Sequence, residues 1–241
     1  MLIVKKFNEK SEVIFSNRKI IIDDELKILA KLTWENEKLK RKKNLFNGKI
    51  LSAKEYNSDV IIVTEVEYKF YLAKKNNPTK FKQFKIIPVS VSGLLQCLDG
   101  IVFGKRSKYV TQYPGFWELV PSGGLDYSLI KSSKKIDYKA QVLNELSEEL
   151  GVQTQMVKKI KPFCFIFDTE SQVLDIGVKI SCNYSFESIL RFYNKLNFKE
   201  YDDLCVVKKG DIPAFIKQND HQLVNVSKYL LKKEFGNKLN S

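Results

Sequence analysis

The chain has 241 residues, of which 44% are hydrophobic and 29% charged. This balance excludes a disordered protein, and the length is enough to bury a sizeable core. No apolar stretch approaches the roughly 18 residues of a membrane span, and the opening MLIVKKFNEK does not resemble a signal peptide, so we expect a cytosolic protein. The net charge of +13 favours anionic partners, either nucleotide phosphates or nucleic acid.

The cysteines and the single histidine restrict the kinds of site that the chain can build. Cys97, Cys164, Cys182 and Cys205 form no CxxC pair and stand in or beside apolar runs. We therefore expect buried, reduced thiols rather than disulfides or a zinc site. With His221 as the one histidine, a site of several histidines is excluded.

The first third of the sequence predicts a small α/β unit. Apolar residues recur among charges over residues 24–43, as in an amphipathic helix, and Asn47-Gly48 then signals a turn. The runs DVIIVTEVEY and KFYLAKK are rich in strand-forming residues, and a polar, proline-containing connector follows near residue 78. We predict an amino-terminal domain or extension over residues 1–84.

The remainder, residues 85–241, alternates strands and helices. Asp99-Gly100 predicts a hairpin with positive φ at both turn positions, and a short strand in FWELVP leads to a flexible pair, Gly123-Gly124. A helix capped by Asp137 and stopped by Gly151 follows. The runs PFCFIF, QVLDIGVKISCNY and DLCVV predict further strands, and residues 218–235 a last helix. This order indicates the α+β class, with a mixed sheet flanked by helices.

Within the capped helix, the stretch NELSEELGV places Glu145, Glu148 and Glu149 along one side. Like charges repel there, and carboxylates in the second half of a helix also oppose its dipole. The pattern therefore indicates either an ordinary solvated helix end or a site that holds a cation. A purely structural helix would favour lysine at these positions, which supports the cation site.

Together with Gly123-Gly124, this helix resembles the signature of the Nudix hydrolase family. The second half of the signature, a glutamate, an apolar residue, a glutamate pair, a glycine and an apolar residue, matches from Glu145 to Val152 at every specified position. The first half departs: Ile136 and Asn144 stand where the family has a glutamate and an arginine that pair, and six residues are inserted after Gly124. The resemblance implies a Nudix-type α/β/α sandwich over residues 85–241.

The resemblance also implies roles for the acidic residues. Glu145, Glu148 and Glu149 would be ligands of Mg²⁺, with Mn²⁺ as the alternative, and the Gly123 carbonyl a further ligand. Glu148 or Glu149 would also orient or deprotonate the attacking water. A later loop contributes a base or a ligand in some members, and three residues are candidates here: Glu200, Asp202 and Asp203.

Two residues beside the glycine pair are candidates for substrate binding. Arg106 follows a strand where the family often places a basic residue toward phosphate, and the alternative is a charged loop. Trp117 lies in the strand before Gly123, where it can stack on a base or pack in the core, and core packing is the more common outcome.

The resemblance predicts hydrolysis of the diphosphate linkage of a nucleoside diphosphate derivative. Residues 34–52, WENEKLKRKKNLFNGKILS, resemble a segment that precedes the domain in a subgroup acting on UDP-sugars. We therefore expect a nucleotide sugar such as UDP-glucose to be split into a nucleoside monophosphate and a sugar phosphate. The alternatives are hydrolysis at an RNA 5′ end, which the positive charge favours, and a nucleotide- or RNA-binding module without turnover, which Ile136 and Asn144 favour.

Overall fold

The computed structural model describes residues 2–41, 45–110 and 112–236. The last residues of the predicted helix 24–43, and residues 42–44 of the segment 34–52, lie outside the described residues. None of the described helices is both long and apolar enough to cross a membrane. The cytosolic location stays a prediction.

Two sheets organise the described part of the chain. The strands are β1 (Leu2–Lys6), β2 (Glu12–Phe15), β3 (Lys49–Tyr56), β4 (Val60–Glu67), β5 (Val89–Gln96), β6 (Ile101–Arg106), β7 (Trp117–Leu119), β8 (Ser122–Gly124), β9 (Val157–Asp168), β10 (Val173–Cys182) and β11 (Tyr201–Val207). The large sheet has the order β1-β9-β10-β5-β6-β11, with β7 joined to β6 and β8 to β5. The small sheet has the order β2-β4-β3.

Helices cover both faces of the large sheet. The helices of the described residues are α1 (Asp24–Arg41), α2 (Tyr68–Asn76), α3 (Tyr138–Leu150), α4 (Phe186–Asn194), α5 (Ile212–Gln218) and α6 (Asn225–Phe235). One buried cluster joins α3 and α4 to one face of the sheet, and a second joins α5 and α6 to the other face. Since β5 and β10 run parallel while their other neighbours are antiparallel, the sheet is mixed. The predicted α+β sandwich is confirmed.

The amino-terminal part is tied to the rest by more than one contact. β1 pairs with β9 along its whole length and so extends the large sheet. α1 and α2 pack over the small sheet through a third cluster, which includes Ala30, Val66 and Ala73. The domain boundary after residue 84 stays a prediction, but the hydrogen bonds of β1 cross it.

Several predicted elements differ from those observed. KFYLAKK is not a strand but forms most of α2, because its lysine, leucine and alanine favour a helix. A short apolar run fits the periodicity of a helix as well as that of a strand, so the sequence pattern did not distinguish them. Gly123-Gly124 is not a flexible pair, because it ends β8 and pairs with β5. The predicted helix 218–235 is split, with α5 ending at Gln218 and α6 beginning at Asn225.

The predicted hairpin is present with a different turn. β5 and β6 flank it, but the chain turns over residues 97–100, and Asp99 is not among the described residues with positive φ. Gly100 alone adopts φ 154°, where it approaches the Val207 carbonyl so closely that a Cβ would overlap it. The cysteines agree with expectation: all four are free, and Cys205 alone is only partly buried.

Candidate active site

Helix α3 has the ends that its sequence predicts. The Asp137 carboxylate accepts a hydrogen bond from the Ala140 N–H at 3.0 Å, and Gly151 stops the helix at φ 70°. Val142, Leu146 and Leu150 are fully buried against the sheet. Because these side chains fix the rotation of the helix, the glutamates have defined positions relative to β8.

Glu149 joins α3 to two strands. Its side chain is only 3% exposed, and its carboxylate accepts hydrogen bonds from the Ser122 N–H at 3.1 Å and from the Tyr201 hydroxyl at 2.7 Å. Burial, followed by repulsion from Glu200, raises the pKa of Glu149 well above its ordinary value. Glu149 therefore holds β8, β11 and the helix together at one point.

Glu145 lies one turn earlier, directly against the glycine pair. Its carboxylate accepts a hydrogen bond from the Gln141 amide at 2.7 Å, and a Cβ on Gly123 would overlap it. Burial raises the pKa of Glu145 to about 7, with a contribution from the charges of Glu148 and Glu200. Gly123 is thus required for close approach of the carboxylate to the β8 backbone.

Glu148 differs from its two neighbours because its side chain is exposed. The structure therefore brings Glu145 and Glu149 to Ser122 and Gly123, and leaves Glu148 in solvent beside them. The roles of these three glutamates, and that of the Gly123 carbonyl, stay predictions.

An ion pair that the sequence did not reveal lies next to this helix. Arg106 pairs with the buried Glu118 of β7, donates from Nε to the Gln112 carbonyl at 3.0 Å, and lies 4.0 Å from Glu200. Burial raises the pKa of Glu118 to about 7 even though Arg106 lowers it. We call Glu118, Glu145, Glu149 and Glu200 the acidic cluster. A glutamate in the middle of a short apolar strand was the one sequence signal for Glu118.

The other sequence candidates are separated from this cluster. Trp117 packs 6.2 Å from the ring of Phe215 on α5 and stays outside the described lining of the cavity beside β8, so its contacts favour the core-packing alternative. Asp202 accepts a hydrogen bond from the Lys108 N–H at 3.2 Å, and both Asp202 and Asp203 are exposed. Of the three later acids, only Glu200 lines that cavity.

The two residues that depart from the resembled signature do not pair with each other, and the loop between β8 and α3 contacts the small sheet instead. Ile136 is 4% exposed and belongs to the core, whereas Asn144 is exposed. The inserted segment runs beside β2: the Phe15 N–H donates to the Lys134 carbonyl at 2.8 Å, and the Ile136 N–H donates to the Val13 carbonyl at 2.9 Å. The loop before α3 is therefore held by backbone hydrogen bonds from the amino-terminal part.

A cavity of about 360 Å³ opens beside the acidic cluster. At one end it is lined by Arg106, Glu118, Glu200 and the β8 residues. It is also lined by residues from β3, α2, β5 and β10: Ile50, Tyr68, Tyr71, Ser90, Ser92 and Asp175. We call the part around Asp175, which is two strands away from β8 in the sheet, the far end of the cavity. The amino-terminal part thus provides a wall of the cavity.

The donors at the acidic cluster fit a hard cation in chemical type. They are carboxylate oxygens whose charges repel one another, and Mg²⁺ binds such oxygens through one or two carboxylates together with water and phosphate oxygens. As the side chains stand in the described part of the chain, no three acidic, histidine or cysteine residues form a metal-binding group. Phosphate oxygens and water would therefore complete the coordination.

No protein-family model matches the chain, and no curated protein matches it significantly. Among solved structures, it is similar to the NUDIX domain of Shewanella oneidensis NrtR complexed with ADP ribose (16% identity, 69% of this chain and 97% of that one, TM-score 0.46). It is also similar to the MutT protein of Methanosarcina mazei Go1 (17%, 63% and 96%, TM-score 0.42).

A third similar structure is the bifunctional NMN adenylyltransferase/ADP ribose pyrophosphatase of Francisella tularensis, complexed with AMP and a Mn ion. The identity is 16%, the match covers 71% of this chain and 49% of that one, and the TM-score is 0.44. With all three TM-scores below 0.5, the fold assignment rests on the strand order and helix layers of this chain.

Proposed function

We propose that this protein is a divalent-metal-dependent hydrolase that cleaves the diphosphate linkage of a nucleoside diphosphate derivative, and that a nucleotide sugar such as UDP-glucose is its substrate. The observation that carries the proposal is the convergence of Glu145 and Glu149 on Ser122 and Gly123, at the charged end of a closed-in cavity. Burying these two charges beside each other carries a cost that a pair of apolar side chains would avoid.

The residues of this site have two kinds of proposed role, binding and proton transfer. A bound Mg²⁺ or Mn²⁺ would neutralise phosphate charge and make its bound water more acidic. Glu145, Glu149 and the Gly123 carbonyl would hold the ion, and Arg106, which lines the same end of the cavity as the β8 residues, would face phosphate. Glu148, which is exposed and therefore free to reach water, would accept the proton.

The nucleotide-sugar part of the proposal is supported by the amino-terminal wall of the cavity. Tyr68 and Tyr71 of α2 line the same cavity as the β8 residues, so a group attached to a diphosphate bound there would have these rings within reach. Aromatic side chains offer flat apolar surfaces with a polar edge, which suits a ring that carries hydroxyl groups. This wall would allow selection among diphosphates that differ only in the attached group.

An assay of turnover tests the proposal. The purified protein is incubated with Mg²⁺ and a panel of nucleoside diphosphate derivatives, and the monophosphate products are measured. We expect release of a nucleoside monophosphate and a sugar phosphate from a nucleotide sugar. The Glu148→Gln, Glu149→Gln double variant should lose at least about a hundredfold in rate, as expected for removal of acid-base and charge-binding groups.

A matched control is Glu187→Gln, which changes an exposed glutamate of α4 that pairs with Arg191. Its rate should equal that of the wild type. Wild-type turnover in the double variant, or no turnover on any member of the panel, would refute the proposal.

A second candidate, hydrolysis at an RNA 5′ end, is favoured by one further observation. Four lysines line a separate cavity of about 260 Å³: Lys159, Lys161, Lys179 and Lys209. If RNA is the substrate, its affinity should fall steeply with salt, because phosphate contacts release counterions. Adding a capped and a triphosphorylated RNA to the panel, at two salt concentrations, separates the two candidates.

A further inference from the structure

Asp175 is a buried acid that the proposed hydrolysis does not use. It is 5% exposed, lies on β10, and is among the residues that line the cavity. Its Oδ2 atom accepts a hydrogen bond from the Ser90 hydroxyl at 2.6 Å. Its Oδ1 atom is buried and makes no hydrogen bond of normal geometry among the described residues, although the nearby Ser92 hydroxyl lowers the pKa of the carboxyl.

Such an oxygen is uncommon in a folded protein, because a buried polar atom without a partner costs about 1–3 kcal/mol. Packing alone does not require a carboxylate at this position. Apolar residues occupy the sites on either side of Asp175 along β10, at Leu174 and Ile176. A valine or isoleucine would pair with β5 equally well and would avoid the cost.

The position of Asp175 in the sheet connects it to the candidate active site. In the strand register, Asp175 lies opposite Ser90 of β5, and Ser90 lies opposite Gly124 of β8. Neighbouring strands are about 4.8 Å apart, so Asp175 is about 10 Å from the glycine pair across two strand spacings. A group attached to a diphosphate at Gly123 would extend over this row.

The neighbours of Asp175 indicate the chemistry of that group. Ser90 and Ser92 line the same part of the cavity, and Ser122 lies opposite Ser92 in the register. A serine hydroxyl both donates and accepts, whereas a carboxylate only accepts. Hydroxyl groups of a ligand match this set, because each of them can donate to Asp175 and accept from a serine.

Part of the cavity wall is aromatic. Tyr71 is buried, its hydroxyl donates to the Ser171 carbonyl at 3.1 Å, and its ring lies 6.0 Å from that of Tyr68. Both residues come from α2 in the amino-terminal part. A ring placed between this wall and the serines would have one face on an apolar surface and its hydroxyl groups toward Asp175.

On these grounds we propose that Asp175, together with Ser90, binds the hydroxyl groups of a sugar ring attached to phosphate, and that it determines which diphosphate derivative the protein selects. This inference rests on the proposed function and adds a specificity-determining residue to it. The ring can be the sugar beyond the diphosphate or the ribose of the nucleoside, since both present the same hydroxyl chemistry.

Equilibrium binding of the expected products tests the inference without turnover. Calorimetric titrations of the full chain in the presence of Mg²⁺ use three ligands: glucose 1-phosphate, UMP and inorganic phosphate. Asp175→Asn should weaken the binding of one ring-bearing ligand at least tenfold and leave inorganic phosphate within twofold. The ligand that responds identifies the ring that contacts Asp175.

Two further variants make the result specific. Ser90→Ala removes the hydroxyl that binds Oδ2 and should weaken the same ligand, but by less than Asp175→Asn. Asp211→Asn makes the same chemical change at an exposed aspartate outside the cavity lining and should leave all three affinities unchanged. Thermal unfolding of each variant verifies that it is folded.

The inference is overturned if Asp175→Asn leaves both ring-bearing ligands within twofold of the wild type, or if it weakens all three ligands equally. It is also overturned if the wild type binds neither ring-bearing ligand more tightly than inorganic phosphate. A protein that hydrolyses diphosphates but shows one of these results retains the proposed function without this residue role. Asp175-dependent binding without any turnover would support this residue role and refute the proposed hydrolysis.

Discussion

The acidic cluster and the far end of the cavity differ in how their buried polar groups are satisfied. In the acidic cluster, Glu118 pairs with Arg106, Glu145 bonds to Gln141, and Glu149 accepts two hydrogen bonds. At the far end, Asp175 has one oxygen that makes no hydrogen bond of normal geometry in the described part of the chain. The comparison suggests that the cluster is already organised for chemistry, whereas the far end becomes complete only when a ligand supplies a donor.

The largest expected effect comes from removing one charge of the acidic cluster. Glu145→Gln should lower the rate of diphosphate hydrolysis by about 10³-fold, because the glutamine keeps the shape of the side chain but cannot hold a cation. Steady-state rates with Mg²⁺ measure the effect. A loss below threefold would mean that Glu145 has no part in the reaction. The acidic cluster would then not be organised for chemistry, and the contrast with the far end would not hold.

The second effect concerns stability at the far end. Burial raises the pKa of Asp175 from 3.8 to about 6. The folded state therefore binds the proton more tightly than the unfolded state, and the contribution of Asp175 to stability is present below pH 4 and is lost as the pH rises through 6. Asp175→Asn should accordingly raise the free energy of unfolding at pH 7 by up to about 3 kcal/mol.

Urea unfolding at pH 3.5 and pH 7 measures this effect. The difference between Asp175→Asn and the wild type should be large at pH 7 and close to zero at pH 3.5. A destabilised variant at pH 7 would show that Asp175 supports the fold, and the contrast between the two ends would fail.

The third effect tests how the acidic cluster is held. Tyr201→Phe removes the hydroxyl that binds Glu149 and leaves this buried carboxylate with the Ser122 N–H alone. The free energy of unfolding at pH 7 should fall by about 1–3 kcal/mol. Chemical denaturation measures it, and an unchanged midpoint would mean that the cluster does not depend on β11.

The smallest effect separates the two glycines of β8. Gly123→Ala should lower the hydrolysis rate about tenfold, roughly 1.4 kcal/mol, because its Cβ would displace the Glu145 carboxylate. Gly124→Ala is the matched control: nothing lies within 4 Å of its Cβ, so its rate should be unchanged. Equal rates in the two variants would contradict the close approach of Glu145 to β8.

Local signals in the sequence were sufficient to predict the ends of α3, but not the contacts that strands make with it. Asp137 and Gly151 mark the ends of one helix, so these ends were predicted correctly, whereas the burial of Glu149 on that helix was not. Tyr201 and Asp175 reach the site through strands that pair at long range, and their register depends on the whole sheet. Helix α2 was missed because its short apolar run suits either period.

The hydrogen bonds between β2 and the inserted segment have a consequence for how the chain can be divided. Lys134 and Ile136 precede α3, and their backbone partners, Phe15 and Val13, come from the first twenty residues. A fragment that starts at residue 85 would retain every residue of the acidic cluster but lose the strand that holds the loop before it. The smallest fragment that we expect to keep this site intact therefore contains both the amino-terminal part and residues 85–241.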